Sequence, residues 1–177
     1  SLSSGMREKI LCRVVNKSVN RISIETDTST SDTVSILANG LAGEVDAEKF
    51  EGAFTRIAVN LAKEIARDGE GSKKLIELTV SGAESQQMAL QIAKSIINSP
   101  LVKTAIHGAD PNWGRFVMAV GKVFQYPVSL DELSIRFGSE SRGMIVNAHN
   151  LDSSKVSLDA ISKYLQNDEV QLYVTVG

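Results

Sequence analysis

Apolar residues recur at helical spacing at Met6, Ile10, Leu11, Val14 and Val15, which predicts an amphipathic helix over Ser4–Lys17. Arg21–Thr26 alternates instead, with Ile22 and Ile24 on one side, and reads as a half-buried strand. A hydroxyl-rich turn over Asp27–Thr33 leads to a second expected strand, Val34–Asn39, closed by Gly40. Asp46 suits the cap of a long helix whose apolar face is Phe50, Phe54, Ile57, Ala58, Leu61 and Ile65, ended by Gly69 and Gly71. Lys74–Val80 reads as a strand, and Met88, Ile92 and Ile96 mark another helix. Leu101–Ile106 is an apolar run taken as a strand, followed by a helix over Trp113–Val123. Leu133–Phe137 and Met144–Asn147 are expected strands. Leu158, Ile161 and Leu165 give a short helix, and Val170–Val176 a last strand.

Strand–strand neighbours mixed with helices predict an α+β fold or a layered α/β sandwich rather than a strict βαβ repeat. Pro127 breaks the pattern at Gln125–Ser129, so the chain is expected to divide into 1–124 and 125–177. A length of 177 residues fits one domain or a large piece of one. The apolar share of 42% and charged share of 23% are those of a globular protein. A net charge of -2 gives no footprint for nucleic acid, and no apolar run is long enough to span a bilayer. Cys12 is alone, which excludes an internal disulfide and suits a reducing compartment. Asn16-Lys17-Ser18 matches a glycosylation sequon and is read as chance. The absence of an initiator Met and the bare final strand suggest a processed or truncated chain.

Four segments invite chemistry. Ser99–Arg115 holds the only Trp, two of the three Pro and the block Gly108-Ala109-Asp110-Pro111-Asn112-Trp113-Gly114-Arg115. It predicts a strand, a sharp turn fixed by Pro111 and the glycines, and a helix capped by Asn112. Asp27, Ser29 and Ser31 fit an Asp-x-Ser-x-Ser pattern for a hard divalent cation. The preferred alternative is that these side chains bond the local backbone in a tight turn. In Asp68-Gly69-Glu70-Gly71, Gly69 is expected as a left-handed helix cap with two exposed carboxylates, while Glu70 is the candidate partner of a cationic ligand group. The following Gly-Ser-Lys-Lys lacks phosphate-loop spacing. Ser1, finally, is a hydroxyl residue beside its own α-amine, the arrangement of N-terminal nucleophiles, but it leads into a polar helix start rather than a rigid strand. His107 and His149 are far apart and offer no zinc spacing, and His107 as a general base competes with a simple hydrogen-bonded role.

Taken in order, Asp27–Thr33, Ala38-Asn39-Gly40, Asp68-Gly69-Glu70-Gly71 with Lys73-Lys74-Leu75-Ile76-Glu77, Asn98–Ala105 and Gly108–Arg115 are similar to one family over the whole chain. The sequence resembles the β-chains of the ornithine acetyltransferase (glutamate N-acetyltransferase) family of arginine biosynthesis. Glu25-Thr26-Asp27 and Ala42–Asp46 look closer to the branch with the clavulanic-acid cluster enzyme. The resemblance implies the layered sandwich shared with β-peptide aminopeptidases, and a precursor that cuts itself before a Thr, which becomes the nucleophile. It implies acetyl transfer from N-acetylornithine to glutamate through an acetyl-threonine ester, with no cofactor and with acetyl-CoA as a co-substrate in some members. It also implies an α-chain partner carrying the oxyanion hole and a substrate-binding Lys, an αβ heterodimer pairing into a heterotetramer, and a cytoplasmic location.

The family's nucleophilic Thr would precede Ser1, and its C-terminal Asn and Thr ligands would follow Gly177. The chain is therefore expected to be a β-chain incomplete at both ends and inactive alone. Of the family's site residues, Glu70 alone carries over, as a substrate-binding carboxylate. Asp27–Thr33 and Asp110–Arg115 are expected to support the cleft. Arg115 is open to two readings, as partner of a substrate carboxylate or in an ion pair with Asp110. Two other functions remain in view: a related N-terminal-nucleophile amidohydrolase, and a non-enzymatic cation-binding module at Asp27, Ser29 and Ser31.

Overall fold

The computed structural model describes residues 2–25, 27, 29–41, 43–149 and 157–177. These form two compact units, Ser1–Ser72 and Lys73–Gly177. Ser1, Thr26, Thr28 and Ala42, which entered the sequence reading, lie outside the described residues.

The first unit is built on two helices, α1 (Ser4–Lys17) and α2 (Ala47–Arg67), with a 3₁₀ turn at Val19–Arg21. α2 starts at its expected cap, Asp46, and α1 is capped by Ser3. The Ser3 hydroxyl accepts from the Met6 N–H at 3.3 Å, and the Asp46 carboxylate accepts from the Glu48 and Lys49 N–H groups at 3.0 and 3.1 Å. Ile10 and Val14 of α1 are buried with Ala58 of α2, with Phe50 and Phe54 packed alongside. Arg13 forks onto Glu51, its Nε 3.0 and 3.1 Å from the two carboxylate oxygens and its Nη2 2.5 Å from Oε2. Hydrogen bonding from Arg13 holds the Glu51 carboxyl below its ordinary value.

Two expectations for this unit change. The apolar face of α2 turns its small residues inward: Ala58 and Ala62 are buried, whereas Ile57, Leu61 and Ile65 are 58%, 57% and 48% exposed. The expected strands Arg21–Thr26 and Val34–Asn39 do not form among the described residues. The described residues between Ile22 and Asp46 take no helix or strand, and Val34 and Leu37 stay exposed, so the apolar positions expected to face a core on a second strand have none to face.

The second unit carries β1 (Leu75–Ser81), α3 (Gln86–Ile97), α4 (Pro100–His107), α5 (Gly114–Gly121), β2 (Ser134–Phe137), β3 (Met144–Asn147), α6 (Leu158–Leu165) and β4 (Glu169–Thr175). The sheet order is β1-β4-β2-β3. β1 and β4 are parallel, with Leu75 opposite Glu169, and the other pairings are antiparallel. Alternation decides which face is covered: Val170, Leu172 and Val174 are buried, while Glu169 and Gln171 on the other face are exposed. The buried face, with Ile135, Phe137 and Val146, joins Ile92, Ile96, Phe116 and Ile161 of the helices in one cluster. Phe116 meets Phe137 edge-on, centroids 5.5 Å apart at 82°. This is the expected α+β class. Residues on both sides of Gln125–Ser129, such as Val120 and Leu133, belong to this one cluster, and the division of the chain falls at Ser72/Lys73.

Leu101–Ile106 is a helix, not the expected strand. Ser99 caps α4, its hydroxyl accepting from the Val102 N–H at 3.5 Å, and Pro100 occupies the first turn, where its missing N–H costs nothing. Val102, Ala105 and Ile106 then fall on one buried face at helical spacing.

Candidate functional site

Glu70 stands just past the C-terminus of α2. Asp68 closes the helix, its N–H donating to the Glu64 carbonyl at 3.0 Å. A β-turn follows at once, with the Ser72 N–H on the Gly69 carbonyl at 2.9 Å. Glu70 occupies the second position of that turn and Gly71 the third, where φ of +71° demands glycine. The expected cap is corrected here: Gly69 does not take the left-handed conformation, because Asp68 ends the helix with its own N–H and the reversal is made at Gly71.

The Glu70 side chain is exposed, and among the described residues its carboxylate has no hydrogen-bond or ion-pair partner. At this helix end the carbonyls of the last turn point outward and carry partial negative charge. With Asp68 and Glu70 added, the corner is suited to a cation such as an ammonium group. The turn leans on the segment before it: a Cβ placed on Gly69 would stand 3.0 Å from Ile24 Cγ2.

In the second unit, the Asp110–Arg115 block forms a helix–helix corner rather than a strand–helix one. α4 ends on Gly108, and the left-handed residue is Ala109, at φ 53°. The Asp110 N–H reaches back to the Ala105 carbonyl at 2.8 Å, and the Ala109 N–H to that of Ile106 at 3.2 Å, the paired bonds of a Schellman ending. The Ala109 carbonyl in turn accepts from the Ser162 hydroxyl of α6 at 2.8 Å. Asn112 is not the side-chain cap of α5. That position falls to Trp113, already helical and without a side-chain bond, while Asn112 contributes its carbonyl to the Arg115 N–H at 3.2 Å.

Arg115 resolves toward the structural alternative. Its Nη2 lies 3.4 Å from Asp110 Oδ2, and its Nη1 donates to the Leu101 carbonyl at 2.9 Å and to Thr104 Oγ1 at 3.1 Å. One guanidinium thus ties α5 to α4. Leu101 and Thr104 were not singled out from sequence; their signal was the Ser99-Pro100 helix start, which puts Leu101 and Thr104 three residues apart on one helix face.

Asp27, Ser29 and Ser31 are exposed. The Ser31 N–H donates to Ser29 Oγ at 3.2 Å, and Thr33 Oγ1 donates to the Ser31 carbonyl at 3.4 Å, as the local-turn reading requires. Among the described residues no group of three or more His, Cys, Asp or Glu is placed to hold a metal ion. His107, in the last turn of α4, His149 and Cys12 are all exposed. No helix among the described residues is long and apolar enough to cross a membrane.

A sequence model described as the ArgJ family matches residues 1–177. The chain is 49% identical over 174 residues to arginine biosynthesis bifunctional protein ArgJ 2 of Clostridium acetobutylicum, covering 95% of this chain and 43% of the relative. It is 45% identical over 177 residues to glutamate N-acetyltransferase Oat2 of Streptomyces clavuligerus, covering 99% and 45%. The chain thus spans less than half the length of these curated relatives. The crystal structure of arginine biosynthesis bifunctional protein ArgJ from Bacillus halodurans matches with a TM-score of 0.87 at 36% identity, over 99% of this chain and 84% of that one.

Proposed function

The chain belongs to the ArgJ family, and from that premise we propose that it is part of an N-terminal-threonine acyltransferase that carries acetyl from N-acetylornithine to glutamate. The nucleophilic Thr lies outside these residues. Its hydroxyl oxygen attacks the acetyl carbonyl, the amide C–N bond breaks, and ornithine leaves with the proton. The glutamate amine then attacks the acetyl-threonine ester, the ester C–O bond breaks, and the hydroxyl is restored. Glutamate N-acetyltransferase Oat2, 45% identical, carries the name of this reaction.

Glu70 is the substrate-binding group of this chain. Its carboxylate pairs with a substrate ammonium at the negative end of α2, a charge-assisted bond worth about 1.5–3 kcal/mol. The observation that carries this assignment is the uncommitted Glu70 carboxylate, among the described residues, on a glycine-bounded turn at a helix C-terminus. An α-chain from the same precursor completes the site, the αβ unit pairs into a heterotetramer in the cytoplasm, and no cofactor is needed; acetyl-CoA is an alternative acetyl donor.

Two measurements on the complete enzyme test the reading. Glu70→Ala should raise KM for N-acetylornithine at least tenfold, about 1.4 kcal/mol or more; unchanged KM and kcat would remove Glu70 from the site. Mass spectrometry after mixing with N-acetylornithine alone should trap an acetyl group on the Thr. Release of acetate independent of glutamate would assign the protein to the amidohydrolases instead.

A further inference from the structure

The two glycines around Glu70 do different things. Gly71 is required by its backbone, at φ +71°, and a Cβ there would meet nothing within 4 Å. Gly69 has no such conformation, so its backbone would accept a side chain. What a side chain would meet is Ile24, which is 37% exposed: a Cβ on Gly69 would lie 3.0, 3.3 and 3.4 Å from Ile24 Cγ2, Cδ1 and Cγ1. Carbon atoms pack favourably at about 3.5–4.0 Å, so a methyl group on Gly69 requires either the turn or the Ile24 side chain to yield by a few tenths of an ångström. Ile24 is itself β-branched and stiff at χ1, and Cγ2 is fixed to its Cβ. The turn, closed by the Ser72–Gly69 bond, begins at Gly69, directly after the residue that caps α2.

We propose that Ile24, seated against the bare Cα of Gly69, is the positioning contact that sets where Glu70 presents its carboxylate, so that the segment before Asp27 is part of the substrate-recognition apparatus although it touches no substrate. This rests on the reading of Glu70 as the ammonium-binding group. Any shift of Gly69 passes directly to the Cα of the next residue. A misplacement near 1 Å at a positioned group costs on the order of 10²-fold in the worst case, and a displacement of a few tenths of an ångström correspondingly less.

The test is a set of variants in the complete enzyme, read as KM for N-acetylornithine against kcat. Gly69→Ala should raise KM about tenfold with a much smaller change in kcat. Ile24→Ala, which removes this contact, should raise KM several-fold. The decisive variant combines them: the new methyl of Gly69→Ala fits the space vacated by Ile24→Ala, and KM should fall back below that of either single change. In a Glu70→Gln background, Gly69→Ala should have no further effect on KM. Additive effects of the two substitutions, or a Gly69→Ala enzyme with normal KM, would overturn the proposal. If Gly69→Ala does not fold, Ile24→Ala alone decides: it must raise KM in the parent enzyme and leave it unmoved in the Glu70→Gln enzyme. The underlying reading fails separately, by a normal KM in Glu70→Gln.

Discussion

Ala109→Gly should stabilise the protein, although it removes a side chain that packs against the core. Ala109 holds φ 53° at the end of α4, the position where glycine is the usual residue, while Gly108 beside it has φ -82°. The left-handed conformation costs a residue with a Cβ about 1–2 kcal/mol. Glycine relieves that cost but adds about 0.5–1 kcal/mol of backbone entropy to be lost on folding. The methyl group is only partly buried, so its loss costs about 0.4 kcal/mol, half the value of a fully buried group. At the midpoints of these ranges the net gain is about 0.3–0.4 kcal/mol, which raises the midpoint of a unit near 100 residues by about 1–3 °C. The Asp110–Ala105 and Ser162–Ala109 bonds use backbone atoms and survive the change. Thermal and urea unfolding followed by the fluorescence of Trp113, four residues away and the only Trp of the chain, reads the effect locally. Ala109→Val completes the series, since a β-branched residue is a true outlier at this φ. The expected order is Gly above Ala above Val. An alanine protein as stable as the glycine one would show that the corner is not held in the left-handed conformation.

The fork between Arg13 and Glu51 makes stability pH-dependent. The hydrogen bond from Arg13 lowers the folded-state pKa of Glu51, so its contribution is complete above the ordinary carboxylate value and is lost as pH falls through the lowered one. A Glu51→Gln protein should be less stable than the parent at pH 7 and equal to it in strong acid; a gap that persists unchanged in acid refutes the assignment. Arg115→Ala should cost about 1–2 kcal/mol by urea midpoint, mostly from the two hydrogen bonds into α4, because the half-exposed Asp110 pair contributes less than about 1 kcal/mol. Arg115→Lys should recover less than half, since one ammonium does not reproduce the fork; full recovery would make the charge, not the geometry, the relevant property.

Much of this fold can be read from polar punctuation rather than from hydrophobicity. Asp46 marks the start of α2, and the expected strands at Leu133–Phe137, Met144–Asn147 and Val170–Val176 fall within a residue of β2, β3 and β4. The apolar run Leu101–Ile106 misleads because short buried helices and buried strands share a composition, and periodicity does not separate them over six residues. Ser99-Pro100 is the arbiter there, as cap and first-turn residue. Ile22 and Ile24 alternate as a strand would, yet Ile24 is occupied against Gly69, a contact between residues 45 positions apart that no local pattern encodes. The parallel pairing of β1 with β4, 94 residues apart in register, is equally invisible locally. Glu70 is legible as a candidate from its glycine neighbours, but which glycine is left-handed depends on how α2 ends, and that is settled by the Asp68 N–H.

The segments that make this chain resemble its relatives differ in what their polar groups are committed to. Arg115 spends its donors on Leu101, Thr104 and Asp110. Ser99 caps a helix, Ser29 and Ser31 close a turn, and the Ala109 carbonyl is taken by Ser162. Groups engaged in this way would have to give up a bond to take a ligand, at about 0.5–1.5 kcal/mol for the exposed bonds of Arg115, Ser29 and Ser31 and more for the buried Ser99 cap. Glu70 faces no such cost, because its carboxylate accepts from no described residue while its backbone is fixed on both sides. No bond among the described residues need break for that carboxylate to meet a cation, but its exposed side chain still has to be fixed, at a cost of about 0.5–1.5 kcal/mol. The Asp110–Arg115 corner is therefore distinctive for a different reason. From Gly108 to Gly114 the chain must end one helix, reverse through the left-handed Ala109 and begin the next, so Asp110–Arg115 is constrained by the backbone path on either side of it.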